Sequence, residues 1–299
     1  MANEAWRSLY HFAERRFDRG GGIRLHYLDE GRGDPVLLVH GNPTWSFYYR
    51  DLAKTLAGAG HRVIVPDHVG MGLSDNPTDS EYKYTLGSRI DDLERLMASL
   101  DVGPVTLVVH DWGGPIGLSW ALRDLARVKA LVILNTAGFL PGPGYRLPWQ
   151  LGASRTPLGP LLVQGANAFV EGMIKHCVTR PMAPAVEAGY RFPYSSWSRR
   201  RAVMRFVQDI PRSPSDPAHP LMLWLGDNVS NLQGLPTLVA WGMRDFVFTP
   251  DFLRQWKARL PDAEYREFPA AGHLVLEDAA PELLPAVRDF AKKHAGARR

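Results

Sequence analysis

The chain has 299 residues, 45% hydrophobic and 22% charged, with a formal net charge of +4; this excludes a disordered chain and leaves one large α/β domain or a core with an insertion. Cys177 is the single cysteine, which excludes an internal disulfide and fits a reducing compartment. No apolar run reaches membrane-spanning length and the N-terminus lacks a signal-peptide pattern, so a cytoplasmic location is expected.

Phe12 to Asp18 and Ile23 to Asp29, on either side of Gly20-Gly21-Gly22, read as a hairpin. Pro35 to Val39 is a short buried strand that stops at His40-Gly41-Asn42-Pro43. Ser46 to Leu56 reads as helix, Arg62 to Val65 as strand, and Tyr84 to Leu100 as a helix with Leu86, Ile90, Leu93, Leu96, Met97 and Leu100 on one face. An apolar strand from Val105 then leads to Val108-Val109-His110-Asp111-Trp112-Gly113-Gly114, followed by a helix over Ile116 to Ala126 and a strand over Lys129 to Leu134. After Asn135 the alternation breaks. Residues 139–233 are rich in Pro, Gly, Trp, Tyr and Arg, with helical patches and no strand pattern. Strand and helix resume with Pro236 to Trp241, Asp251 to Leu260, Ala263 to Phe268 and Pro281 to Ala291. The expected architecture is α/β: a mostly parallel eight-stranded sheet covered by helices on both faces. Its core spans 1–138 and 234–299, with 139–233 as an inserted helical cap. Arg199-Arg200-Arg201 and the tail Lys292-Lys293…Arg298-Arg299 read as a solvated face and a frayed terminus.

A buried strand, a sharp turn with glycines and a helix form the nucleophile elbow of the α/β-hydrolase fold, whose tip exposes a reactive side chain. The tip here is Asp111. The turn wants small residues two before and two after the nucleophile; Gly113 complies and Val109 does not. In this fold an acid and then a His follow the nucleophile in the chain. Asp245 lies just after the strand ending at Trp241, and His273 lies in the loop after the last strand. The other usual place for the acid, after the strand ending at Leu134, holds Asn135, which cannot be the anion.

A carboxylate is ionised at neutral pH and needs no base to attack, which suits it to a saturated carbon bearing a leaving group. His273, oriented by Asp245, would then activate water against the resulting ester. Alkyl halides, epoxides and strained oxygen rings are the candidate substrates. A departing halide needs donors; Trp112, next to the nucleophile, and Asn42, on the opposite wall, supply an indole N–H and an amide N–H. Backbone N–H groups of the same two turns would hold the second oxygen of Asp111. An epoxide needs a proton donor instead, for which Tyr145, Tyr190 and Tyr194 are available.

His40-Gly41-Asn42-Pro43-Thr44-Trp45-Ser46, Asp67-His68-Val69-Gly70-Met71-Gly72-Leu73-Ser74-Asp75, His110-Asp111-Trp112-Gly113-Gly114 and Gly272-His273 resemble the haloalkane dehalogenases over almost the whole core. Asn42 and Trp112 with the acid at Asp245 are similar to that family's third subfamily, which includes the β-lactone decarboxylases of bacterial long-chain olefin biosynthesis. Gln208-Asp209-Ile210-Pro211 and Ser213-Pro214, with Tyr84-Thr85-Leu86…Ser88-Arg89, resemble the decarboxylase branch in particular. The resemblance implies homo-oligomers, and for the decarboxylases association with other olefin enzymes.

The expected activity is hydrolytic dehalogenation of haloalkanes, with catalytic Asp111, His273 and Asp245, halide donors Asn42 and Trp112, and a small hydrophobic substrate, water and a halide ion as partners. The alternative is decarboxylation of cis-β-lactones by the same set; an epoxide hydrolase and a catalytically retired ligand receptor rank below both. Phe139, Trp149, Phe169, Phe192, Trp197, Phe206 and Trp224 are candidate tunnel residues, and Leu274 is a candidate pocket residue. Adjacent His176 and Cys177 would point apart on a helix. No metal site, phosphate loop or nucleic-acid motif is present, and no cofactor is expected.

Overall fold

The apolar runs become the strands β1 (Arg15–Asp18), β2 (Arg24–Glu30), β3 (Pro35–Val39), β4 (Arg62–Pro66), β5 (Val105–His110), β6 (Val128–Leu134), β7 (Thr237–Gly242) and β8 (Glu264–Phe268). The structure is a computed structural model and describes residues 2–142 and 144–296; Arg298 and Arg299 of the basic tail lie outside them. All positions of β5, β6 and β7 are buried, as expected of parallel strands covered on both faces. The eight-stranded sheet runs β1-β2-β4-β3-β5-β6-β7-β8; only the pairs β1–β2 and β2–β4 are antiparallel.

From β3 the chain first moves one way to β4 and then returns to place β5 on the other side. Order thus reverses between β3 and β5, and the crevice outside the carboxyl ends of such strands is where open α/β sheets bind ligands. The register brings those ends level: Val39 pairs with Val109, His110 with Leu134, Leu134 with Ala240, and Gly242 with Phe268. The residues that follow, including Asn42, Asp111, Asn135 and Asp245, therefore share one edge of the sheet.

The helices are α1 (Arg50–Gly58), α2 (Leu86–Leu100), α3 (Gly113–Arg123), α4 (Trp149–Ser154), α5 (Ala168–His176), α6 (Pro184–Arg191), α7 (Arg201–Gln208), α8 (His219–Asn228), α9 (Pro250–Arg259), α10 (Val275–Asp278) and α11 (Ala280–Lys293). Helix α2 is capped by Thr85, whose side chain accepts from the Ser88 amide. Before α1, Ser46–Tyr49 forms a tighter 3₁₀ turn, so the expected helix over 46–56 starts in two pieces. Helix α3 begins three residues before the apolar periodicity, at Gly113. A Cβ on Gly113 would sit 1.9 Å from the Val39 carbonyl oxygen, so packing against β3 requires a residue of poor helix propensity there.

Between β6 and β7, α4 to α8 and short turns contain no strand among the described residues. Arginine side chains hold the ends of these short helices. Arg155 donates to the carbonyls of Val207, Gln208 and Ile210, and Arg200 to those of Tyr194, Gln164 and Gly165. Carbonyls at helix C-termini lack intrahelical partners, and a guanidinium satisfies several at once. Arg199 and Arg201 donate to the carbonyls of Ser74 and Pro77. The basic triplet therefore joins this segment to the loop after β4 and is not simply a solvated face. An additional 3₁₀ segment, Ala2–Leu9, buries Trp6 against Phe192 and Trp45, with ring centroids 4.4 and 5.6 Å away.

Candidate active site

Asp111 follows β5 at φ 51°, in the left-handed region that side chains rarely occupy. Such a residue costs on the order of 1–3 kcal/mol and persists only where its surroundings impose it. Here its amide donates to the Asn135 carbonyl (3.2 Å), and its own carbonyl accepts from the Gly114 amide (3.0 Å) and the Thr136 hydroxyl. Val109, larger than the turn pattern wants, is accommodated by Gly117, where a Cβ would lie 2.8 Å from a Val109 methyl.

The Asp111 carboxylate is seated by the opposite turn. The Asn42 amide donates to Oδ1 at 2.6 Å, and a Cβ on Gly41 would sit 2.0 Å from that oxygen. Burial pushes the Asp111 pKa above the ordinary carboxylate value, while the nearby His273 and the backbone amides of Asn42 and Trp112 oppose the rise.

His273 Nε2 lies 3.6 Å from Asp111 Oδ2, and its Nδ1–H donates to Asp245 Oδ2 at 2.8 Å. Asp245 has its remaining capacity filled: Oδ1 accepts from the amides of Val247 (2.7 Å) and Phe248 (3.1 Å), and Oδ2 accepts from Asn135 Nδ2 (2.9 Å). Burial works against a charged His273, but the charge and hydrogen bond of Asp245 and the charge of Asp111 outweigh it and hold its pKa above 6.5. The structure thus brings the expected nucleophile, base and acid together in one line of contacts.

Sequence reasoning discarded Asn135 as an acid and assigned it nothing. Its side chain ties Asp245 to the sheet: Nδ2 also donates to the Gly242 carbonyl (3.1 Å), and Oδ1 accepts from the Gly242 amide (2.8 Å). His110 was also missed. Burial keeps it neutral, and Nε2–H donates to the His273 carbonyl at 2.9 Å. Only its place beside Asp111 hinted at this.

Asn42 Nδ2 donates one hydrogen to the Val203 carbonyl on α7 (3.3 Å), leaving its second N–H. The Trp112 ring stands edge-to-face against Phe206, centroids 5.5 Å apart. Asn42 and Trp112 both border a cavity of about 780 Å³ that also meets Asp111 and His273. Its walls are mainly apolar, with Phe139, Phe169, Met173 and Leu274 among them.

Of the aromatic tunnel candidates, Phe139, Phe169 and Trp149 line the cavity, Trp149 at 76% exposure. Phe192, Trp197, Phe206 and Trp224 do not line it. Phe246, Val247 and Phe248, in the loop after Asp245, line it and were not anticipated. His176 and Cys177 both border it, against the expectation that they point apart. Helix α5 ends at His176, so the helical angle between successive side chains no longer applies. The tyrosines do not form a proton-donating pair: Tyr145 donates to the Val247 carbonyl, Tyr190 to Glu277, and Tyr190 and Tyr194 do not border the cavity. Among the described residues no group of His, Cys, Asp and Glu is arranged to hold a metal, and no helix is long and apolar enough to cross a membrane.

The alpha/beta hydrolase fold family matches residues 34–280. The chain is 46% identical over 280 residues to a cis-3-alkyl-4-alkyloxetan-2-one decarboxylase from Shewanella oneidensis, covering 93% of this chain and 88% of that one. It is 34% identical over 281 residues to haloalkane dehalogenase 2 from Mycobacterium bovis, covering 93% and 95%. The crystal structure of the haloalkane dehalogenase DatA from Agrobacterium tumefaciens C58 superposes with a TM-score of 0.84 at 24% identity, covering 98% and 99%, and is similar in fold. The chain is an enzyme of the α/β-hydrolase fold family, in the group that holds the haloalkane dehalogenases and the oxetan-2-one decarboxylases.

Proposed function

We propose that the protein decarboxylates cis-3,4-dialkyl β-lactones (oxetan-2-ones) to cis-alkenes, with Asp111 as nucleophile. The observation that carries this is the identity of 46% to a decarboxylase against 34% to a dehalogenase, each over 93% of the chain. The sequence reading put dehalogenation first. The order is reversed here because both activities would use the same catalytic residues, whereas similarity over the rest of the chain separates the two groups.

In this reading Asp111 attacks C4 of the lactone from the side opposite the ring oxygen. The C4–O bond breaks, and its electron pair leaves on the ring carboxyl, which becomes a carboxylate. Asn42 and Trp112 donate to that carboxylate as they would to a halide. Inversion at C4 puts the new ester oxygen antiperiplanar to the carboxylate on C3. The C3–carboxylate electron pair then forms the double bond, carbon dioxide departs, and Asp111 leaves with the C4–O pair. No water or proton is consumed. Inversion followed by anti elimination turns cis alkyl groups into a cis-alkene. The apolar cavity favours this second step, because a buried carboxylate is costly and carbon dioxide is neutral.

Dehalogenation is a second reading, supported by Asn42, Trp112 and the 3.6 Å approach of His273 to Asp111. An alkyl ester formed from a haloalkane has no carboxylate to lose, so it needs water activated by His273. The deciding experiment incubates the protein in parallel with a cis-3,4-dialkyl β-lactone and a 1-bromoalkane. Fast release of carbon dioxide and cis-alkene with slow bromide release is expected. Fast bromide release without carbon dioxide would restore dehalogenation, and silence in both with tight ligand binding would indicate a receptor.

A further inference from the structure

Behind the leaving-group pocket lies a buried cation that the proposed chemistry does not use. Arg89, on α2, is 2% exposed, and its guanidinium carbon sits 3.6 Å from the centroid of the Phe206 ring and 5.8 Å from that of Trp112. Its Nη1 donates to Asp209 Oδ2 at 2.7 Å and its Nη2 to the Tyr84 carbonyl at 3.0 Å. Asp209, at the end of α7, is 5% exposed and also accepts from the Leu86 amide. This contact joins the two sequence segments, Tyr84 to Arg89 and Gln208 to Pro211, that resembled the decarboxylase branch. It also flanks both donors: Phe206 carries the Trp112 ring, and Val203, one turn earlier on α7, receives Asn42 Nδ2.

We infer that Arg89 is a positioning residue for the anion site: it fixes Phe206 and Val203 against α2 so that Trp112 and Asn42 keep their N–H groups on a departing carboxylate or halide, and its positive charge beside the indole strengthens the Trp112 donor. A cation on an aromatic face draws on the ring's electron density, and such contacts gain strength when removed from water. Arg89 does not line the cavity and acts through Trp112 and Phe206. Mere anchoring of α7 would need only a packed pair at these positions, because apolar residues replace buried ion pairs with little loss.

That distinction sets the test, which rests on Trp112 and Asn42 forming an anion site and not on which substrate is turned over. Sodium bromide is titrated against tryptophan fluorescence in the parent, Arg89→Lys and the double variant Arg89→Met/Asp209→Asn, with melting temperatures measured alongside. The Asp209→Asn change keeps a side-chain oxygen as acceptor for the Leu86 amide, so the local fold retains that bond. The parent should bind bromide, Arg89→Lys should stay within about threefold of it, and the double variant should bind about tenfold more weakly at a near-parental melting temperature. With the lactone, the double variant should lose turnover in kcat more than in KM. Equal bromide affinity in parent and double variant would overturn the inference while leaving the anion site standing. An equal loss in Arg89→Lys and the double variant, tracking melting temperature, would reduce Arg89 to an anchor and overturn it as well. No bromide binding to the parent would remove the anion site and the inference with it.

Discussion

The edge of the sheet and the segment between β6 and β7 build opposite walls of one cavity by different means. At the sheet edge, the proposed reactive groups are fixed largely by bonds that involve backbone: Asp111 by the Asn42 amide, Asp245 by the Val247 and Phe248 amides, and the His273 main chain by His110, with the His273 ring held by Asp245. In the intervening segment, short helices are joined by arginine side chains that reach distant carbonyls, and the cavity side is mostly apolar. A wall pinned through backbone geometry can hold a nucleophile to a fraction of an ångström; a wall pinned through long side chains sets size and shape. Chemistry should therefore respond to the first wall and to the contacts that α7 makes with Asn42 and Trp112, and substrate length to the rest of the second.

The largest effect is expected from Asp111→Asn, which should lower lactone and haloalkane turnover alike by about 10⁴-fold or more, the scale of losing a nucleophile. A variant with normal circular dichroism and residual turnover above that level would place the attack elsewhere. Trp112→Phe keeps the ring but removes a donor, a loss of about 2.7–4 kcal/mol in the related oxyanion case. Steady-state turnover of both substrate types should fall correspondingly, and an unchanged rate would mean that the leaving group sits elsewhere. Asn135→Ala should lower stability by about 1.5–3 kcal/mol, the range for a hydrogen bond to a charged group, as read from urea denaturation. It should slow ester hydrolysis more than lactone fragmentation. On the other wall, Phe169→Leu should move the preferred alkyl length with a KM change of about tenfold or less, as one altered contact in an apolar pocket allows. A collapse of kcat there would erase the contrast between the walls.

The two reactions should also differ in pH dependence. Hydrolysis of an alkyl ester needs neutral His273, so haloalkane turnover should rise as pH climbs through the His273 titration. In the ester the Asp245 charge and hydrogen bond still favour the imidazolium, whereas the Asp111 charge that also favours it in the free enzyme is gone. Lactone fragmentation needs only ionised Asp111. Its acid limb should lie above the 3.8 of a free carboxylate, because burial raises the Asp111 pKa, and the rate should be flat through the His273 titration. Superimposable profiles for the two substrates would tie lactone turnover to the imidazole.

The same contrast explains what could be read in the sequence. The sheet was legible because β5, β6 and β7 are mostly apolar runs, broken only by residues such as Thr106 and Lys129, and because turns such as His110 to Gly114 carry their own backbone chemistry. Asp111, Asp245 and His273 were legible from their order at strand ends. Asn135 was not, because its use depends on β6 and β7 lying side by side with Leu134 opposite Ala240. The register of arginines against carbonyls in the intervening segment was equally hidden. Arg155 and its acceptors Val207 to Ile210 are joined by no local periodicity, only by the packing of α4 near α7. Phe246 and Phe248 were not legible because they reach the cavity only through the turn in which the Val247 and Phe248 amides fold back onto Asp245.

The most direct test of Asp111 as a nucleophile at saturated carbon uses His273→Phe with a reactive 1-bromoalkane. Attack needs no base, whereas hydrolysis of the ester does. The variant should release about one bromide per active site in a burst and then stop. Intact-mass spectrometry should show one added alkyl group, and peptide mapping should place it on Asp111. Before any exposure to the bromoalkane, the same variant should still release carbon dioxide from the lactone within about tenfold of the parent rate, less than the 10²–10⁴ that a general base contributes, which also shows that it is folded. A folded variant that forms no adduct on Asp111, or carries the alkyl group on another residue, would contradict the account.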